Sequence, residues 1–347
     1  MTIAVDIGSD EFRSLRLEQG RLLGRRVAAW YIDLPATRAQ QRLLDEAHIR
    51  YLTSDDRLLV LGDAAIDLAE TFHSPCMPLL PNGQLPTGDP VARQLCAAAI
   101  EAVLPTPSED APTRCVLAYP RSRDSEVEFN QRTLWFVTRL IRLHGLEVEV
   151  TDVDFAAALA EFGQDQFTGL VLIGDGEETG LSLAYRGHIL ARTSIPRGMR
   201  AIDRETAKLR DLTVWSGAGE KYLDLAAAMR LRRELCESTH LEARPADHPL
   251  KRVCAEQLAD VFRKACVWSS DRQVQQVSTA LPLICIGPLT QIPGITGLIR
   301  DAMSLADFPL RVREIRTASH THFSVARGAL IHGVLESTAP TDLDRVA

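Results

Sequence analysis

Apolar and polar positions follow two rhythms along the chain, and each rhythm is heard in both halves. At the start, TIAVDIG is a short apolar run ended by Gly8, and SLRLEQGRLLGRRVAAWYI continues it as strands joined by a turn at Gly20, which predicts hairpins rather than a crossover. RLLVLGDAAIDLAETF predicts a strand and then a helix. HSPCMPLLPNGQLPTGDP is rich in proline and glycine and predicts a loop, after which VARQLCAAAIEAVL has helical spacing. Beyond the linker PTPSEDAPT, RCVLAYP is a strand stopped by Pro120. SEVEFNQRTLWFVTRLIRLHG then predicts a helix ending at Gly145, LEVEV a strand, and DFAAALAEFG another helix with a glycine stop.

The stretch GLVLIGDGEETGLSLAYRGHILART repeats the opening grammar: a strand, a glycine turn, a second strand, a tight turn at Gly187 and a third strand. Two hairpin-rich halves of similar build suggest an ancient duplication. EKYLDLAAAMRLRRELCES and KRVCAEQLADVFRKACVWSS show amphipathic helical spacing and are joined by the polar THLEARPADHP. LPLICIG is a strand, ITGLIRDAMSLA a helix, and FSVARGALIHGVLE a closing helix with small residues where close packing is needed. A flexible tail is expected at 337–347.

Composition narrows this picture. A chain of 347 residues that is 46% hydrophobic suits two lobes better than one. With 39 Lys and Arg against 46 Asp and Glu, no general field draws in nucleic acid. The seven cysteines are scattered without a CxxC pair and read as small buried residues of a protein in the reducing cytoplasm. The first residues do not read as a signal peptide, and no apolar run reaches the ~18 residues of a membrane span, so no membrane anchor is evident. Trp30 and Tyr31 are expected beneath a small subdomain, and Trp135, Trp215 and Trp268 in a core or interface. His320 and His322 read as part of a loop before the last helix.

Six segments carry candidate chemistry: DIGSDEFR, TDVDFAAALAEFG, LIGDGEETG, AAAMRLRRELCES, GPLTQIPGI and FSVARGALIHG. In type, order and spacing they resemble the cleft and hinge of the actin and DnaK-type chaperone superfamily, which includes the bacterial actin MreB and the sugar kinases. The resemblance implies an α/β, two-lobed actin-like fold, each lobe with a ribonuclease-H-like mixed sheet flanked by helices. It implies a first lobe of 1–163 plus 310–336, with a small subdomain at about 31–75, and a second lobe of 164–309, with a helical subdomain at about 200–268.

The ligand implied by the resemblance is ATP or ADP with Mg. Gly8 lets backbone N–H groups approach a phosphate, and the Ser9 hydroxyl is a further donor. Arg13 falls where actin has a phosphate-contacting lysine, and Asp6 where the family orders metal-bound water. Gly174 and Gly176 take the second pair of glycine positions with Asp175 between them. On this register the family's second metal aspartate is Leu172, and leucine cannot hold the oxygen shell of Mg²⁺. Glu177 and Glu178 add negative charge; a carboxylate ~4 Å from one phosphate charge costs about 4 kcal/mol at an effective dielectric near 20.

Val153 stands where the family orients the attacking water. Its neighbours Asp152 and Asp154 are the candidate substitutes, or simply caps of the helix. Met229 replaces the family's ribose carboxylate, and Arg232 the neighbouring lysine. Gly287 and Gly294 match the adenosine loop, whose second glycine is Pro288 here. Gly328 and Ala329 allow close helix packing at the hinge.

Taken together, these matches and losses imply an actin-like cytoskeletal or scaffold protein that self-associates and binds nucleotide weakly, with slow or absent hydrolysis. The alternatives are a chaperone-like ATPase lobe working with a protein partner and, behind it, a small-molecule kinase.

Overall fold

In the computed structural model the described residues are 2–106, 112–120, 127–215, 219–237, 249–320 and 322–338. Strands β1 (Thr2–Ile7), β2 (Glu11–Glu18) and β3 (Arg21–Ala28) form the opening hairpins. A small subdomain follows, built from β4 (Trp30–Pro35), α1 (Arg38–Glu46), β5 (Tyr51–Ser54), β6 (Arg57–Leu61), α2 (Asp63–Leu68) and β7 (Met77–Pro78), with its four strands in the order β5-β6-β4-β7. The chain then forms α3 (Pro90–Val103), β8 (Arg114–Tyr119), α4 (Val127–Leu143), β9 (Glu147–Asp152) and α5 (Val153–Glu161). The first large sheet has the order β3-β2-β1-β8-β9, with β1, β8 and β9 parallel.

The second half repeats this plan. Strands β10 (Gly169–Gly174), β11 (Thr179–Tyr185) and β12 (His188–Ile195) are antiparallel hairpins. A helical region follows: α6 (Met199–Leu209), a ribbon of β13 (Thr213–Trp215) and β14 (Lys221–Leu223), α7 (Leu225–Glu237), α8 (Pro249–Ala265) and the short α9 (Arg272–Gln275). β15 (Leu281–Ile286), α10 (Ile295–Leu305), β16 (Val312–Thr317) and α11 (Ser324–Thr338) complete the chain. The second sheet runs β12-β11-β10-β15-β16, the strand order of the first with each member replaced by its counterpart. Each sheet combines three antiparallel strands with parallel ones, giving the two-lobed actin-like architecture.

Alternation along the central strands sorts the cores. Ile3, Val5 and Ile7 face α3 and α4, while Leu170, Leu172 and Leu283 face α8 and α10. The opposite faces, with Ala4, Val116, Val171 and Ile284, meet α5 and α11 between the lobes. There a Cβ on Gly328 would overlap the Ala156 carbonyl, so the two helices cross at backbone contact. The small residues of the closing helix are thus a condition of its packing.

Several elements have no counterpart in the sequence pattern, among them α1, α6 and β16. EKYLDL opens as a strand rather than a helix, because the Asp224 side chain accepts a hydrogen bond from Ala227 N at 2.8 Å and caps α7 only at that point. Trp30 and Trp268 are buried and Tyr31 is half-buried, but Trp135 and Trp215 are 62% and 59% exposed and so are not core. Helix α11 extends to Thr338; the rest of the expected tail, part of the linker PTPSEDAPT and most of THLEARPADHP lie outside the described residues. Among the described residues no helix is long and apolar enough to cross a membrane.

Candidate functional site

The two sheets aim equivalent turns at one place. In the first turn Gly8 N donates to Glu11 O at 3.0 Å; in the second Asp175 N donates to Glu178 O at 2.9 Å. The flanking register matches, with Ile7 opposite Phe12 and Asp6 opposite Arg13 in one, and Gly174 opposite Thr179 and Ile173 opposite Gly180 in the other. This corrects the sequence register by one residue: the counterpart of Asp6 is Ile173, which lines the cleft, whereas Leu172 lies in the outer core. A shift of one residue along a strand exchanges the two faces, and pattern alone could not detect it. Both positions are apolar, so neither supplies a second carboxylate.

The turns touch. Ser9 N and Ser9 Oγ both donate to Asp175 Oδ2, at 2.9 and 2.7 Å, and Glu177 N donates to Ser9 Oγ at 3.1 Å. A Cβ on Gly176 would collide with the Asp10 carboxylate and the Ser9 hydroxyl, so only glycine permits this approach. Helix α6 begins against the second turn, with Met199 N donating to Asp175 O at 2.8 Å and Arg200 N to Gly176 O at 2.9 Å.

That helix start delivers Arg200 into the junction. Its side chain is 2% exposed and lies over the Trp30 ring at 4.9 Å from the centroid. Nε donates to Asp10 Oδ1 at 3.1 Å and Nη1 to Leu80 O at 3.0 Å; Nη1 also meets Glu177, and Nη2 meets Ser9 O. One guanidinium therefore ties together both turns and the segment at Leu80. The turn at Asn82 joins as well, its N–H donating to Glu177 Oε1 at 3.0 Å.

Arg13 is also committed. Its Nη1 lies 3.0 Å from Asp6 Oδ2 and its Nη2 3.0 Å from Glu11 Oε2. Burial pushes the Asp6 carboxyl up to about 6 against the pull of Arg13, and burial likewise raises Asp10 to about 6 against Arg200. For Glu11, burial is outweighed by the His322 hydrogen bond and the charges of Arg13 and Arg26, which hold it at about 2. His322 Nδ1 lies 3.5 Å from Glu11 Oε2, in the loop before α11.

A cavity of about 360 Å³ remains beside the junction, lined by Asp6, Ser9, Arg13, Asp175, Glu177 and Gly287 among others. Gly287 has φ 82° and a Cβ there would collide with the Gly174 carbonyl, so the 287–294 loop packs on the second turn; Gly294, at φ 75°, is the left-handed residue from which α10 starts. Arg232 lines a separate cavity of about 560 Å³ with Met229, Pro288 and Gln291. Its Nε and Nη2 donate to Asp203 at 2.8 and 3.1 Å, and its Nη1 is 3.4 Å from Gln291 Oε1. Met229 is buried with Trp30 and Ile66, so α7 caps the small subdomain with an apolar contact where the family has a ribose carboxylate.

Asp152 and Asp154 are not brought into the cleft between the turns. Asp152 caps α5, accepting from Asp154 N at 2.9 Å and Phe155 N at 3.4 Å, and it pairs with Arg192 at 2.5 Å. Asp154 is buried with Arg192 Nε at 3.5 Å from its Oδ2, and only Val153 between them reaches the cleft. Arg200, Asp10 and Asp203 were absent from the sequence candidates. Arg200 and Asp203 lie outside the six candidate segments, and the partners of all three are distant along the chain, Arg200 for Asp10 and Arg232 for Asp203.

A magnesium nucleotide would reach its donors in this arrangement only by displacing contacts within the chain. The Ser9 donors and the Arg13 guanidinium that would meet phosphate are taken by Asp175, Asp6 and Glu11. Asp6, the metal candidate, is itself paired with Arg13 at 3.0 Å.

A family model described as Volactin matches residues 1–333. No match is found among curated proteins. Among solved structures, MreB5 of Spiroplasma citri bound to AMPPNP is similar at 14% identity and a TM-score of 0.67, covering 100% of this chain and 98% of that one. The MamK double helical filament matches at 14% identity and a TM-score of 0.59, covering 96% and 99%. The ethanolamine utilization protein EutJ from Carboxydothermus hydrogenoformans follows at 15% and 0.51, covering 94% and 88%. These likenesses show the fold, that of the actin-like proteins.

Proposed function

The chain belongs to the volactin family, and from that premise we propose that it is an actin-like cytoskeletal or scaffold protein that self-associates into filaments. Its cleft takes ATP or ADP weakly and turns it over slowly or not at all. One observation carries this reading: Ser9, Asp175 and Arg200 join the two turns through the chain's own charges, so phosphate has to compete with contacts made within the protein. In support, the solved structures that share this fold include a double helical filament and a protein bound to AMPPNP.

Nucleotide, where it binds, meets Gly8, Ser9 and Arg13 from the first turn, Gly174, Asp175 and Gly176 from the second, and the Gly287–Gly294 loop with Arg232. Asp6 is the one remaining candidate to order a magnesium-bound water. The lobes are assigned as 1–163 with 318–336 and as 164–317, because β16 (Val312–Thr317) pairs with β15 in the second sheet and moves the boundary expected at 310. A cytoplasmic location agrees with the six free cysteines of the described residues. Sedimentation and electron microscopy at rising protein concentration, with and without ATP and Mg²⁺, test the proposal. Filaments that form without nucleotide are expected; a strict monomer at every concentration would refute self-association, and turnover matching a bacterial actin would refute the slow cleft.

A further inference from the structure

We propose that the Asp175 carboxylate is a tethered competitor of phosphate, occupying the phosphate position of the first turn from the opposite lobe. The inference rests on the reading of the cleft as one that accepts phosphate. Three contacts on one carboxylate carry it. Oδ2 takes the Ser9 backbone N–H at 2.9 Å and the Ser9 hydroxyl at 2.7 Å. Oδ1 lies over Gly8, 3.2 Å from where a Cβ would be, which is the close approach that a glycine grants to an anionic oxygen. The Ser9 hydroxyl accepts from Glu177 N at 3.1 Å, so its proton is directed to Asp175.

An oxyanion on two converging donors above a glycine has the geometry of a bound phosphate oxygen, here supplied by the chain itself. Any phosphate must therefore displace Asp175 before it can use Ser9. Displacement frees a carboxylate in a junction where Asp10 and Glu177 already share Arg200, and Asp6 and Glu11 already share Arg13. Negative charge on the ligand and negative charge on Asp175 thus exclude one another. The second turn, whose Asp175 and Glu177 grip Ser9 and Arg200, moves with the exchange.

The test is the affinity of the full chain for ATP and for inorganic pyrophosphate, each with Mg²⁺, in the wild type, Asp175→Asn, Asp175→Ser and Glu178→Gln. The Asn variant keeps the shape of the side chain and removes its charge; the Ser variant serves if Asn disturbs folding. The expected result is affinity higher by about ten- to a hundredfold in either Asp175 variant, the range of one charge-assisted hydrogen bond. Glu178→Gln removes the same charge from the cleft wall without touching Ser9 and is expected to gain less than about threefold.

Equal affinity in wild type and Asp175 variants would overturn the competitor and leave nucleotide binding standing. An equal gain in Glu178→Gln would overturn it too, by showing general charge relief. Failure of every variant to bind either ligand would overturn both the competitor and the nucleotide reading.

Discussion

The first turn passes through Gly8, Ser9, Asp10 and Glu11 and is followed by Arg13, whereas the second passes through Asp175, Gly176, Glu177 and Glu178 and is followed by Gly180. Their backbone hydrogen bonds and flanking registers are the same. Their chemistry is complementary: the Ser9 amide and hydroxyl of the first turn meet the Asp175 carboxylate of the second, and Arg200 of α6 joins Asp10 of one to Glu177 of the other. Two copies of one backbone that would face a common anion instead face each other and satisfy each other. A shared fold thus does not dictate a shared ligand, because a few side chains on equivalent turns decide whether the crevice recruits charge or neutralises itself.

The largest expected effect comes from removing the tie between the turns. Arg200→Met leaves Asp10 and Glu177 without their shared cation and the Leu80 and Ser9 carbonyls without a donor, and should cost about 3 to 5 kcal/mol in urea unfolding. A loss below about 1 kcal/mol would mean that the turns hold together without it.

The corrected register gives the next test. Leu172→Asp places an unpaired carboxylate in the outer core and should destabilise by about 3 kcal/mol or more, whereas Ile173→Asp faces the cleft and should cost roughly half as much. If Leu172→Asp proved the milder of the two, the assignment of faces on β10 would be wrong.

A smaller effect follows from the buried acids. Asp6 and Asp10 titrate near about 6 in the folded chain against 3.8 when unfolded, so between those values the folded state holds protons that the unfolded state has released. Their contribution to stability is full below pH 3.8 and is lost as pH rises through about 6, by at most about 3 kcal/mol per group. Glu11, held at about 2, acts in the opposite sense, and its contribution is lost only as pH falls from 4.5 through that value. Replacing Asp6 and Asp10 with Asn should flatten thermal stability across about pH 4 to 6; an unchanged slope would place the titration elsewhere.

Much of this molecule was legible in its residues. Period-two runs ended by glycine at Gly8 and Gly174 gave the paired hairpins, and Gly328 marked the close crossing of α5 and α11. The resemblance of DIGSDEFR and LIGDGEETG gave a crevice shared by two lobes. What escaped was set by contacts distant along the chain. Arg200 follows the unremarkable segment SIPRGM, and its partners Asp10, Leu80 and Glu177 lie in three separate turns. The face of β10 escaped for a different reason: Leu172 and Ile173 are both apolar, so alternation carries no signal there. Asp152 and Asp154 attracted attention by type, and their bonds to the start of α5 and to Arg192 account for them.

Self-closure is tested most directly by hydrogen exchange at two amides in nucleotide-free protein: Ser9 N–H, which donates to Asp175, and Glu177 N–H, which donates to the Ser9 hydroxyl. Both should already exchange as slowly as the amides of the central strands β1 and β10, with no further slowing on addition of ATP and Mg²⁺. Fast exchange at both that becomes slow only with nucleotide would show that the ligand, and not the chain, holds the lobes together.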